Sequence, residues 1–260
     1  FFSERNYGLY ASASYPFSTF RRVTVELQGL VSERTNYVLD PSGLFLAPGS
    51  AVTNKLLQPS VNFVHDSAYY GSYGPVTGSR LSLFAAPAIP LGDATLERQT
   101  YLLDWRRYWM PLRRNSLAMR FMAAASEGNQ PRAFVLGGPF TLRGYDFYDY
   151  QTVSHLAGRR LAMFNAEYRL PLIDAVYFGW PGRWGFGPVG ATLFFDAGAA
   201  WNDNFDPFGD DAAGTWGFRD LRGDYGFGIR TRLGFLPLKF DWAWPTDLRT
   251  TGNGVFQCSI

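Results

Sequence analysis

The feature that most constrains this chain is a two-residue alternation, repeated in segments of about ten residues closed by turns. In Val189–Trp201 one row reads Leu193, Phe195, Ala197 and Trp201, and the other Thr192, Phe194, Asp196 and Gly198. Asp224–Leu233 sets Tyr225, Phe227, Ile229 and Leu233 against Gly226, Gly228, Arg230 and Arg232. Leu238–Trp244 sets Leu238, Phe240, Trp242 and Trp244 against Lys239 and Asp241. A period of two is the period of a β-strand, whose successive side chains point to opposite faces. Rings on one row and charges on the other call for two unlike solvents, and a transmembrane β-barrel supplies both, lipid outside and a wet lumen inside. A soluble β-sandwich also alternates, but these outward rows are almost purely aromatic or aliphatic and the strands are long for a sandwich.

Composition agrees with this reading. Aromatic residues make up 18% of the chain, with 23 Phe, 15 Tyr and 8 Trp, yet the mean hydropathy is only −0.13. A barrel has this balance, because its ringed lipid face and polar lumen average out. No run of 18 apolar residues exists, so no transmembrane helix is encoded, and among β-structures only a closed barrel leaves no open edge in lipid. A net charge of +2 gives no reason to expect nucleic acid as a partner. The single cysteine, Cys258, rules out an intrachain disulfide. The chain opens at Phe1 with neither an initiator Met nor a leader-like segment, and so reads as part of a longer secreted precursor.

About eleven strands are visible: Tyr7–Tyr15, Arg22–Leu30, Leu56–Asp66, Ser79–Ile89, Gln99–Trp109, Ser116–Ala125, Arg159–Leu170, Val189–Trp201, Asp224–Leu233, Leu238–Trp244 and Val255–Ile260. The first two read as a hairpin through a tight turn at Pro16-Phe17-Ser18. Ser32–Asn54, rich in Pro, Gly, Ser and Asn, reads as a long loop. In Arg159–Leu170 the rows are Phe164, Tyr168 and Leu170 outward and Asn165, Glu167 and Arg169 inward.

Residues 127–158 are too long and irregular for a hairpin connection. Their aromatic residues, Phe134, Phe140, Tyr145, Phe147, Tyr148 and Tyr150, argue against disorder. Within them lies Gly137-Gly138-Pro139-Phe140-Thr141-Leu142-Arg143-Gly144-Tyr145, one cation among small and apolar residues. We read it as a loop folded back into the barrel, with Arg143 seeking carboxylates on the wall. Glu167 and Asp196 share the inward face of neighbouring strands by parity, and the planar fork of an arginine suits two carboxylates at once. The plainer alternatives are an exposed loop arginine and two solvated carboxylates. Arg230 and Arg232 read as solvated lumen residues, and Trp201, Trp242 and Trp244 as an interfacial girdle.

Leu142-Arg143-Gly144-Tyr145 after Gly137-Gly138 resembles the lumen-loop motif of the BamA/TamA superfamily, which includes two-partner-secretion transporters such as FhaC. Phe164-Asn165-Ala166-Glu167-Tyr168-Arg169-Leu170-Pro171 is similar to the strand that follows that loop, and Leu193-Phe194-Phe195-Asp196-Ala197-Gly198 to the next one. Gly228–Asp241, with Leu236-Pro237 at its turn, resembles the penultimate hairpin, and Gly254–Ile260 the start of the closing strand. The resemblance covers roughly Gly74 to Ile260. It implies an all-β transmembrane antiparallel β-barrel of sixteen strands, of which about eleven or twelve fall within residues 1–260, with 127–158 as the lumen loop. It departs from the pattern in lacking a terminal aromatic residue after Ile260 and the preceding periplasmic domains, so the barrel is expected to lack its first strands and last few residues here.

The resemblance also implies a place in the bacterial outer membrane and a task in assembling or translocating other proteins. The partners it implies are membrane lipid together with client outer-membrane proteins, accessory envelope proteins or a fused N-terminal domain. In the last case the barrel would serve as an anchor or exporter. A plugged pore is the third reading. Enzymatic chemistry finds no support: His65 and His155 lack metal-ligand spacing, and no nucleophile elbow or phosphate loop occurs. Asn202-Asp203-Asn204 with Asp206 lacks the glycine and glutamate of a calcium loop. No cofactor, metal or catalytic residue is expected.

Overall fold

In the computed structural model, residues 2–39, 46–71, 74–92, 95–210, 214–233 and 236–260 are described. A sheet of twelve strands dominates, and eleven of them follow one another along the sheet in chain order. These are β1 (Phe2–Ser18), β2 (Arg21–Leu39), β3 (Leu46–Asp66), β4 (Gly74–Leu91), β5 (Arg98–Trp109), β6 (Ser116–Gly128), β7 (Arg160–Ile173), β8 (Val189–Trp201), β9 (Arg222–Leu233), β10 (Leu236–Thr246) and β11 (Val255–Ser259). The twelfth, Tyr69–Gly71, pairs only with β4. The order is that of an antiparallel meander, in which each strand returns beside the one before it.

The chain divides into two compact units, one of residues 1–64, 83–102 and 126–132, the other of 65–82, 103–125 and 133–260. The first is built on the β1–β2 hairpin, in which Ala11 faces Leu27 and Ser12 faces Glu26. Side chains on both faces of β1 are exposed. Its small core gathers Leu56, Ala88 and Leu96, with Leu30 packed against them. Two expectations are corrected here. The β1–β2 turn lies at Thr19-Phe20, because β1 continues through Pro16 to Ser18 with a register shift that absorbs the missing N–H of the proline.

The Ser32–Asn54 loop is also mostly strand. β2 extends to Leu39 and β3 starts at Leu46, while residues 40–45 lie outside the described part. Polar composition misled here, because a ladder is made by backbone groups and needs no apolar row. Glu33, Thr35 and Asn36 pair with Arg5, Ser3 and Phe2, the Tyr7 hydroxyl donates to Glu33 Oε1 at 2.8 Å, and Asn36 Nδ2 donates to Ser50 Oγ at 3.2 Å.

The second unit carries the clearest alternation. In β8, Thr192, Phe194, Asp196 and Gly198 are buried, whereas Leu193 is 54% exposed. On the exposed face the rings of Phe227 and Trp242 stack at 5.3 Å, and Trp242 meets Phe256 at 5.1 Å. Residues 129–159, between β6 and β7, are more ordered than their sequence indicates. Phe134–Val135 pairs with Ala157–Gly158 to close the base, and Phe147–Gln151 forms a 3₁₀ helix whose entry is fixed by the Asp146 N–H donating to Asp149 Oδ2 at 2.8 Å.

Candidate functional site: the buried arginine cluster

The loop 137–145 is shaped by its own backbone before it touches the sheet. Gly137 and Gly138 adopt φ of 129° and 92°, conformations that side-chain-bearing residues rarely reach. The Gly138 N–H then donates to the Tyr145 carbonyl at 2.7 Å, and the Gly137 N–H to Thr141 Oγ1 at 2.9 Å. The nine residues therefore form a closed lobe with Leu142 and Arg143 at its buried side, 0% and 3% exposed.

Arg143 is bonded along its whole guanidinium. Nε donates to Asp196 Oδ2 at 2.7 Å, Nη2 to Asp196 Oδ1 at 2.8 Å and Nη1 to Glu167 Oε1 at 2.7 Å. Its carbon lies 3.6 Å from the centroid of the Phe194 ring, a cation–π contact on one face of the guanidinium. Asp196 and Glu167 belong to the paired strands β8 and β7, where Asp196 faces Asn165 and Glu167 faces Phe194. Burial alone would weaken the charge of Arg143, but the bonds to Asp196 and the fields of both carboxylates hold its pKa above the ordinary arginine value. Such a pair is costly to break, since either partner left alone is an uncompensated buried charge.

Further bonds tie the lobe to other strands. Asn165 Nδ2 donates both to the Thr141 carbonyl and to Asp196 Oδ1, each at 2.8 Å. Arg120 of β6 donates to the Phe140 carbonyl at 3.0 Å, and Gln257 of β11 to the Tyr145 carbonyl at 3.1 Å. The Tyr145 hydroxyl reaches the Gly223 carbonyl of β9 at 3.4 Å. Burial pushes that hydroxyl up to about 12. Gly144 allows the closest approach: a Cβ there would stand 2.6 Å from Asp224 Cβ and 3.1 Å from the Pro245 nitrogen.

Of the residues singled out from the sequence, Gly137, Gly138, Leu142, Arg143, Gly144 and Tyr145 make up the lobe, and Glu167 and Asp196 lie against its arginine. The sequence reading missed Asn165, Phe194 and Arg169, although parity put each on the inward row, and it missed Gln257 of β11. Asp224, fully buried and directly across the ladder from Asp196, was missed as well. Arg230 is corrected from a solvated residue to an ion-paired one. Its Nη1 lies 2.7 Å from Asp241 Oδ1, because Asp241 stands one diagonal step away across the β9–β10 ladder, and its Nη2 lies 4.0 Å from Glu167 Oε1. His155 Nε2 lies 3.6 Å from Asp220, and Asn202 and Asp203 accept bonds from Arg159. Among the described residues no group of His, Cys, Asp or Glu is arranged to hold a metal ion.

A meander with rings on one face and bonded charges on the other has the character of an outer-membrane β-barrel. The family model described as "Omp85 superfamily domain" matches residues 2–260, and the chain belongs to that superfamily. Among solved structures it is similar to the crystal structure of BamA from Haemophilus ducreyi lacking POTRA domains 1–3. The TM-score is 0.70, over 99% of this chain and 55% of that one, at 14% identity. At that identity the likeness is one of fold, and the chain spans about half the length of the protein it matches. No curated protein matches the chain.

Proposed function

We propose that this chain is the barrel part of a bacterial outer-membrane protein that inserts or translocates other polypeptides, with residues 127–158 held inside the lumen as a docked loop. The observation that carries the proposal is the buried bridge from Arg143 to Asp196 and Glu167, which fastens one loop to two adjacent strands. A Gly-rich lobe loses much chain entropy when it is ordered, and a multiply bonded buried guanidinium offsets that cost at a single point. Membership of the Omp85 superfamily supports the class of task and the outer-membrane location. The partners are membrane lipid, client outer-membrane proteins and accessory envelope proteins. The chain's own residues position and hold rather than react.

The test is depletion of the intact protein in its host, followed by measurement of the folded, heat-modifiable fraction of the other outer-membrane β-barrels. The proposal expects that fraction to fall, and to stay low when the only copy supplied carries Arg143→Ala. Undiminished folding of every other barrel after depletion would overturn the assembly reading.

A further inference from the structure

Beside the arginine bridge lies a cavity of about 310 Å³ within the second unit. Its lining includes Arg143, Arg169, Arg230, Arg232 and Lys239, but a single carboxylate, Glu167. Glu167 is already engaged: Oε1 accepts from Arg143, and Oε2 from Arg169 Nε and Nη2 at 2.8 and 2.7 Å. Asp196 is taken up by Arg143 and Asp241 by Arg230. Arg143, Arg169 and Arg230 are thus each matched by one of the three carboxylates, which leaves Lys239 as the surplus positive charge at the cavity. Its Nζ lies 5.1 Å from the centroid of the Phe140 ring, and among the described residues no carboxylate comes within ion-pair distance of it. A neighbouring cavity of about 170 Å³ shares Arg143, Glu167, Arg169 and Lys239 and adds Arg106 and Arg120.

Water alone solvates such an excess, but these cations are fixed and converge. Arg169 is held by Glu167 and by the Pro75 carbonyl at 3.2 Å, and Arg230 by Asp241, so each guanidinium keeps its place whether or not a ligand is present. Pro75, Pro139, Pro188 and Pro237 form stiff walls between the charges and lack backbone N–H groups. Preorganised guanidinium groups and a lysine point charge suit a tetrahedral oxyanion, and about 300 Å³ is the lower end of ligand-pocket size. From this geometry we infer that the cavity binds a phosphate-class anion, a phosphate or phosphate monoester, with Lys239 as its principal contact and Arg232 at the rim. The inference does not depend on the assembly reading above.

Equilibrium dialysis of radiolabelled inorganic phosphate against the intact protein in detergent, at constant ionic strength in chloride, tests it. One saturable site per chain is expected, weakened at least tenfold by Lys239→Gln and less by Arg232→Gln, and unchanged by Lys55→Gln in the first unit. Heat-modifiable migration on a gel confirms that each variant is folded. A second arm places phosphatidic acid in mixed micelles. Lys239-dependent binding there, without binding of inorganic phosphate, assigns the site to a lipid phosphate. Absence of saturable binding in both arms, or equal affinity of Lys239→Gln and the parent, would overturn the inference.

Discussion

The β1–β2 hairpin and the arginine cluster are both antiparallel β-structure, yet they are held in different ways. In the hairpin, side chains on both faces of β1 are exposed and the ladder does the joining, helped by surface bonds such as Tyr7 to Glu33. In the cluster, charged and amide side chains from β6, β7, β8 and β11 converge on one lobe of nine residues, and the key arginine is 3% exposed. The hairpin needs only a backbone pattern and tolerates many side chains. The cluster depends on the identity of particular residues, because a buried charge without its partner is far costlier than an exposed one.

That contrast orders the expected effects. The largest is Arg143→Ala, which strands the buried Asp196, leaves Glu167 to Arg169 alone, and is expected to cost about 3–5 kcal/mol in loop docking. Limited proteolysis of the intact protein in lipid should then cut within 137–158 far faster than in the parent. Asp196→Ala should do nearly the same, and the double variant little more, since both changes remove one interaction. Additive losses in the double variant would mean that the two residues act separately.

Next comes Gly144→Ala, which places a methyl group 2.6 Å from Asp224 Cβ and is expected to cost about 1–3 kcal/mol, read from the same cleavage assay. Cleavage at the parental rate would show that the lobe does not sit against β9 as described.

A smaller effect follows from pH. Folded Tyr145 keeps its proton to about pH 12, whereas a free tyrosine releases it near 10. The contribution of the neutral hydroxyl is complete below about pH 10 and is lost as pH rises towards 12. Loop protection should decline over that window, and Tyr145→Phe should flatten the decline. The smallest effect belongs to the hairpin: Tyr7→Phe removes an exposed bond and should leave the unfolding midpoint unchanged within measurement error. A clear loss there would erase the distinction between the two regions.

Much of the fold was legible because alternation is read directly from the chain. In β8 to β10 the inward row foretold burial, from Thr192 through Asp196 to Asp241. Legibility failed where a strand is polar on both rows, as over Ser32–Asn36 of β2, because a backbone ladder needs no apolar row. In the site, parity brought Glu167 and Asp196 to one face, and both lie in hydrogen-bond contact with Arg143 of the loop. What parity does not carry is register. Arg230 finds Asp241, and Asp224 faces Asp196, only because β8, β9 and β10 pair in that register, which alternation alone does not fix. The bonds from Asn165, Arg120 and Gln257 to loop carbonyls were hidden for a similar reason, since they depend on the path of the lobe.

The most direct test of the central claim, that Arg143 holds the loop in a docked state, is amide hydrogen exchange on the intact protein in lipid nanodiscs. The amides of Leu136 and Gly138, bonded to the Leu156 and Tyr145 carbonyls, are the reporters. The account predicts slow exchange at both in the parent and at least tenfold faster exchange at Gly138 in Arg143→Ala, with the β1–β2 amides unchanged. Equal exchange at Gly138 in the two proteins would contradict it.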